Sequence, residues 1–389
     1  MRDEFPIFSE HPELIYLDSA ATAHKPHCVI DALTRFYAEE YATVHRAVYR
    51  SALKASVKYN ETRVVAARFL NASEPEEIVF TRGTTDAINL VAFSYGKTFL
   101  KQGDEILISE MEHHSNIVPW QMVAKQTGAV LKWIPMNAQG ILEWENCIGP
   151  KTKFISLAHV SNVTGTINPI AEIGKAACKV GAKFLVDGAQ AAPHMKIDVQ
   201  ALGCDFYAFS GHKCYGPTGV GVLYGKKELL GVMPPVQGGG DMIEQVYLEQ
   251  TTFQKPPLRF EAGTPIIGSV VALKTALEFL EANLQPEGLL EHATSRLLEI
   301  ENLKIIGTAP LKGPIITFQI EGIHPLDLAT LLDLKNIAIR SGHLCAQPLL
   351  RKFGLTTAAR ASFGIYNTLE DVDRFVDAVA TVAKTLILA

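Results

Sequence analysis

No run of about 18 apolar residues occurs anywhere in the chain, so nothing in it is expected to span a membrane. The opening MRDEFPIFSEHPEL has no apolar h-region and no small-residue cleavage site, so no signal peptide is expected. No basic block stands out against a formal net charge of −5. Binding a phosphate backbone needs a concentrated positive field, so nucleic acid is excluded as a main partner. None of the six cysteines (Cys28, Cys147, Cys178, Cys204, Cys214 and Cys345) forms a C-x-x-C pair. In a chain of 389 residues that argues against a disulfide framework or a zinc ribbon. Internal repeats and low-complexity tracts are also missing. What remains is ordinary for a globular protein, with 48% hydrophobic and 20% charged residues. The length predicts two domains, and the sum of these features predicts a cytoplasmic protein.

Short apolar runs alternate with helical patterns through the first two thirds. EIVF (77–80) leads into TRGTT and the helix-like DAINLVAFSYG. EILIS (105–109) leads into EMEHHSN, KFISLAHV (153–160) into SNVTG, KFLV (183–186) into DGAQAA, and DFYAF (205–209) into SGHK. GVGVLYG (219–225) reads as one more strand. Strand, loop and helix in repetition predict a mostly parallel sheet covered by helices. Ligands of such sheets bind outside the carboxyl ends of the strands. Five of these ends deliver candidate reactive residues: Thr84 and Thr85, His113, Asn162, Asp187 and Lys213. After about residue 265 the pattern changes to long helices near 268–282 and 286–300, a strand PIITFQIEG, a helix after HPLDL, a strand NIAIR and a last helix. Thr368 with Asp371 makes an N-cap for that last helix. This reads as a large domain over 21–265 and a smaller α+β domain over 266–389, with residues 1–20 packing on the smaller one.

Each motif has a plain reading beside its chemical one. Asp187 closes an apolar strand before Gly188, as a turn aspartate or an N-cap would. A carboxylate there can also hold the proton on a pyridine nitrogen and make that ring an electron sink. Lys213 is an exposed charge in the plain reading. An amine in a semi-buried pocket can instead lose its proton and condense with an aldehyde. Together the two match the demands of pyridoxal phosphate. Gly83-Thr84-Thr85 opens a helix, where backbone N–H groups either are simply capped or attract a phosphate. Ser210 and His212 could add donors. His113 and His114 lack metal-binding spacing, so no metal is expected, and one of them suits stacking on a cofactor ring. Gly96-Lys97-Thr98 has Val91 where a P-loop needs its first glycine. GPTGVGVLYG leads into a strand and is no dinucleotide fingerprint. Gly238-Gly239-Gly240 reads as a flexible loop.

A set of longer stretches carries a resemblance: YLDSAAT, VHRAVYR, RGTTDAINLVA, EMEHHSNIVPWQ, HVSNVTG, VDGAQAA, FSGHKCYGPTGVG, GGGDMI, RFEAGTP, RSGHLCAQPL and RASFGIYNT. The chain resembles, nearly end to end, the pyridoxal-phosphate-dependent cysteine desulfurases of the aminotransferase class V family, in the SufS-like group that includes selenocysteine lyases. The resemblance implies an α/β fold of the PLP-dependent transferase type (aspartate aminotransferase-like, fold type I). It implies that Lys213 links to pyridoxal 5'-phosphate, Asp187 faces the pyridine nitrogen, His113 stacks on the ring and Gln190 bonds the ring hydroxyl. Thr84, Thr85, Ser210 and His212 would bind the phosphate. Asn162 and Arg360 would hold the carboxylate of L-cysteine or L-selenocysteine, and Cys345 would take the sulfur as a persulfide. It also implies a homodimer, with Thr264 reaching the partner's cofactor phosphate, and a sulfur-acceptor protein of iron–sulfur assembly. Three positions depart from the family pattern: Asp86 for glutamate, Ile266 for asparagine, and Cys214 for a bulky apolar residue. Cys214 is accordingly expected to pack locally.

Overall fold

The computed structural model describes residues 1–283 and 288–388. Seven strands form its larger sheet: β1 (Ile78–Thr81), β2 (Glu105–Ser109), β3 (Val130–Ile134), β4 (Thr152–Ala158), β5 (Lys183–Asp187), β6 (Phe206–Ser210) and β7 (Gly221–Gly225). Their order across the sheet is β1-β7-β6-β5-β4-β2-β3. All are parallel except β7, which runs antiparallel to both its neighbours. The central strands are apolar throughout because both faces are covered. Phe184, Val186, Tyr207 and Phe209 pack on one face. The alternate residues Leu185, Phe206 and Ala208 pack on the other. The sheet is therefore mostly parallel, as the alternating pattern predicts.

Strand β3 is not singled out by the sequence. It is an edge strand, with Val130 44% and Trp133 36% exposed, so it lacks the apolar run that marks its neighbours.

A second, antiparallel sheet is built from β8 (Leu303–Ile306), β9 (Ile315–Ile320), β10 (Arg340–Gly342) and β11 (Ala358–Ser362), in the order β8-β9-β11-β10. Neither β8 nor β11 stands out in the sequence. β11 is AARAS, weak in strand propensity, and is held as a strand by pairing on both sides. The predicted strand NIAIR divides. Ile337–Ala338 pairs in parallel with Ile15–Tyr16, and the chain then joins the second sheet from Arg340. The helix expected over 268–282 spans Ile267–Ala282. The next spans Leu289–Leu297, and its expected start at 286 lies outside the described residues. The last helix, Leu369–Leu388, opens on a reciprocal cap in which Thr368 N–H donates to Asp371 and Asp371 N–H donates to Thr368 Oγ1, each over 3.2 Å.

The N-terminal segment is tied down along its length. Phe5 and Phe8 pack with Tyr215, Ile365 and Tyr366, and Arg2 pairs with Asp371 at 3.2 Å. Among the described residues no helix is long and apolar enough to cross a membrane.

Candidate active site

The carboxyl ends of β1 and β6 meet through glycines. A β-carbon at Gly221 would lie 2.5 Å from Gly83 Cα, and one at Gly83 would lie 3.2 Å from Ser210 Oγ. Without those side chains, the helix Thr84–Val91 starts directly against Ser210. Thr84 N–H donates to Ser210 Oγ over 2.8 Å, and the two hydroxyls are also 2.8 Å apart. Thr85 Oγ1 lies 2.6 Å from Ser115 Oγ. His212 Nδ1 lies 3.1 Å from Thr22 Oγ1, and burial, with Lys213 beside it, holds this imidazole down to about 4. Hydroxyls clustered at a helix N-terminus form an anion-attracting corner.

After β2, His113 caps the short turn His114–Asn116, its Nδ1 accepting the Ser115 N–H over 3.1 Å. The proton of the neutral ring is thereby placed on Nε2. Burial, then the charge of Lys213, lowers His113 to about 3. The preceding residue, Glu112, is completely buried. It accepts from Asn116 Nδ2 at 2.7 Å and from Ala158 N–H at 2.9 Å, and it touches the Ser109 hydroxyl. Burial pushes it up to about 8. Glu112 ties the His113 loop to the end of β4. Sequence reasoning missed it, and the only signal was a carboxylate flanked by Met111 and His113.

Asp187 ends β5, 5% exposed, with Oδ1 accepting the Ala189 N–H over 2.9 Å. Burial raises its pKa, while that N–H and Lys213 oppose the rise. Gly188 is required there, because a β-carbon would fall 2.1 Å from the Tyr207 ring. Gln190 Nε2 donates to Ala20 O over 2.7 Å, leaving Oε1 buried without a partner. Lys213 ends the short turn after β6, and loss of solvation lowers its pKa against the pull of Asp187.

Arg360 comes from β11. Its Nη1 donates to Asn162 O over 3.0 Å, its Nη2 to Asp18 Oδ1 over 2.9 Å, and its buried Nε has no partner. Asn162 Nδ2 donates in turn to Leu344 O over 2.7 Å. Cys345 follows Leu344 in a left-handed pair, with φ values of +52° and +54°. Its thiol residue is half-buried, whereas Cys214 is fully buried and its thiol is pushed up to about 12 by burial.

These residues line one cavity of about 520 Å³: Thr84, Thr85, His113, Asn162, Asp187, Gln190, Ser210, His212, Lys213, Cys345 and Arg360. Thr264 is not among them. It lies exposed on the turn after Gly263. His114, His343 and Cys345 place potential metal-ligand atoms within 4.8 Å of one another. Both imidazoles, however, spend their lone-pair nitrogen on a backbone N–H: Gln347 to His114 Nε2 at 3.1 Å, and Cys345 to His343 Nδ1 at 3.0 Å. The remaining ring nitrogens then carry protons, which suits donation to an anion better than ligation of a cation. Asp86 accepts from the backbone and the side chain of Arg82 at 3.0 and 2.9 Å, at the mouth of the adjoining cavity. Ile266 precedes the helix Ile267–Ala282 without a side-chain cap.

The sequence profile of the family described as Aminotransferase class-V matches residues 15–375. A relative from Halalkalibacterium halodurans, named "Probable cysteine desulfurase", is 51% identical over 381 residues, spanning 95% of this chain and 94% of that protein. A longer relative from Mycobacterium leprae, named "Probable cysteine desulfurase 1", is 46% identical over 396 residues, and the match covers 99% of this chain but 65% of that protein. Among solved structures, the cysteine desulfurase CsdA (S-sulfonic acid) from Escherichia coli superposes with a TM-score of 0.89 at 41% identity, covering 99% of this chain and 98% of that one. With its profile match over nearly the whole length and a relative at 51% identity, the chain belongs to the aminotransferase class-V family, among the cysteine desulfurases.

Proposed function

We propose that the chain is a pyridoxal 5'-phosphate-dependent cysteine desulfurase of the SufS-like group, which converts L-cysteine to L-alanine and keeps the sulfur on Cys345 as a persulfide. The observation that carries this reading is the meeting of Lys213 and Asp187, from the first sheet, with Cys345, from a loop of the second, in one cavity. A plain aminotransferase of the same fold would share the first two and have no use for the thiol.

The residues fit the cofactor. Gln190 Oε1 and Arg360 Nε are buried polar atoms that lack a protein partner, and a bound molecule would satisfy them. The corner of Thr84, Thr85, Ser210 and His212 suits a phosphate, Asp187 suits a protonated ring nitrogen, and the neutral His113 ring suits the face of an aromatic ring. When bound, pyridoxal phosphate supplies an aldehyde for the substrate amine and a ring that takes up electrons released at Cα.

The protein's own part follows from the geometry. Arg360, held by Asp18 and Asn162, binds the substrate carboxylate together with Asn162. Lys213 would hold the cofactor, and its amine, with a pKa lowered by burial, can take up the Cα proton. Cys345 Sγ, as a thiolate, attacks the substrate sulfur. A sulfur–sulfur bond forms, the carbon–sulfur bond breaks with its electrons returning to carbon, and carbon regains a proton. One thiol and one cysteine thus become one persulfide and one alanine. The reading includes a homodimer in which Thr264 reaches the partner's phosphate corner, and a sulfur-acceptor protein of iron–sulfur assembly. It is a reading of a cytoplasmic enzyme, in keeping with six free cysteines. L-selenocysteine is the alternative substrate.

Cys345→Ser tests this. The variant is expected to stay yellow and to change colour with L-cysteine, yet release almost no sulfur, while Cys214→Ser stays active. Selenocysteine turnover in Cys345→Ser reads out the alternative substrate. Alkylation and mass spectrometry should map the persulfide to Cys345. A persulfide on Cys214 with none on Cys345 would overturn the assignment.

A further inference from the structure

His113 lines the cavity, but its neighbour His114 does not, and the reaction leaves His114 without a part. It stands against the Cys345 loop and holds it at the cysteine and again two residues beyond. The His114 backbone N–H donates to Cys345 O over 2.7 Å, and His114 Nε2 accepts the Gln347 N–H over 3.1 Å. The loop needs such ties. Leu344 and Cys345 are consecutive non-glycine residues at φ +52° and +54°, a left-handed conformation that a β-carbon disfavours. The loop leaves β10 of the second sheet and enters the helix Gln347–Lys352. His114, in contrast, follows β2 of the first sheet. Its grip therefore bridges two separately built parts of the molecule. Asn162 makes a further tie to the loop, donating to Leu344 O over 2.7 Å, and Lys352 at the end of the following helix pairs with Glu110 at 3.1 Å.

We propose that His114 is a positioning residue, a clasp that holds Cys345 in its left-handed turn at the rim of the cavity. Opening the bond between His114 Nε2 and Gln347 N–H releases the loop and carries Sγ outward. The clasp itself is a matter of loop geometry. Its meaning for sulfur transfer rests on Cys345 being the acceptor proposed above.

The side chain can be removed without touching the backbone bond to Cys345. His114→Ala deletes the acceptor of the Gln347 N–H. His114→Gln offers an amide oxygen in its place. Three readouts on the holoenzyme separate the roles: the colour change on mixing with L-cysteine, the rate of persulfide formation on Cys345, and the rate at which iodoacetamide alkylates Cys345 without substrate. In His114→Ala the colour change is expected to be as fast as in wild type. Persulfide formation should slow by about fivefold to tenfold, the worth of one hydrogen bond, and alkylation should speed up by a similar factor. His114→Gln should bring both rates back towards wild type. Wild-type alkylation and persulfide rates in His114→Ala would overturn the proposal, as would a glutamine variant indistinguishable from alanine. Should wild type form no persulfide on Cys345, the acceptor reading fails, and the alkylation series still decides the clasp.

Discussion

Glu112 sits where three donors converge, yet burial favours its neutral form and lifts it from the usual 4.5 to about 8. Protonated, it can donate to the Ser109 hydroxyl while its other oxygen accepts from Asn116 and Ala158. Linkage then has a definite sign. Between about pH 4.5 and 8 the folded chain holds a proton that the unfolded chain has released, so this group's stabilisation is complete below the lower value and is lost as pH rises towards the upper one. The slope from this one group is about −1.4 kcal/mol per pH unit at most. Glutamine has the same shape and the same pattern of one acceptor and one donor. Glu112→Gln is therefore expected to fold and to flatten the pH dependence of the urea midpoint relative to wild type. Parallel curves for the two proteins between pH 5 and 8 would show that Glu112 is ionised in the folded state. The same loop carries His113, so this buried acid supports the site without touching its cavity.

Among the elements, the segment that leads to Thr264 is anchored by a buried and fully paired carboxylate. Glu261 receives a fork from Arg63 at 2.8 and 2.9 Å, the Phe80 N–H at 2.8 Å and the Tyr59 hydroxyl at 3.0 Å. Arg63 also donates to Ile78 O over 2.6 Å and lies over the Phe80 ring. The helix Arg50–Leu70, strand β1 and the 258–264 segment are thus joined at one carboxylate. Both side chains are under a tenth exposed, so removing one leaves a buried charge uncompensated, at a cost of about 3–5 kcal/mol. Glu261→Ala should lower the free energy of unfolding by that amount, read from the shift of the denaturant midpoint. Replacing Arg63 and Glu261 together with apolar residues of similar volume should recover much of the loss, and a double variant no more stable than the single would contradict the account.

At the scale of the molecule, two sheets with separate cores share one site. The first sheet is drawn from residues 78–225 and the second from residues 303–362, and we propose the domain boundary near residue 265 on that basis. The N-terminal segment is threaded between them, pairing with Ile337–Ala338 and packing on Tyr215. Tyr37, Tyr41, Tyr49, Leu53 and Val57 are more than half exposed in the single chain, an apolar spread of the kind that marks an association surface. Light scattering at assay concentration is expected to give a homodimer. Thr264→Ala should lower the affinity for pyridoxal phosphate although Thr264 does not line its own chain's cavity, because in the proposed homodimer it reaches the partner's. A fully active monomer, or unchanged cofactor affinity in the variant, would refute this.

The sequence by itself determined the alternation of strands and helices, and with it the edge on which Thr84, His113, Asn162, Asp187 and Lys213 emerge. Buried parallel strands must be apolar runs, and the polar residues that follow them must lie at their carboxyl ends. The reciprocal cap at Thr368 and Asp371 was legible for the same reason: it is a local pattern with a local cause. Strands β3 and β11 were not legible. One is an exposed edge and the other an alanine-rich segment, so neighbours decide their conformation, not their own residues. That Cys345 and Arg360 reach the cavity is a matter of tertiary structure alone, since they come from a sheet more than a hundred residues further along the chain. Resemblance named them, but no spacing in the sequence places them beside Lys213. The left-handed turn at Cys345, the tautomers of His113 and His114, and the buried acid Glu112 also belong to the tertiary structure. Each depends on which backbone N–H happens to face which side chain, and that is settled only when distant segments pack together.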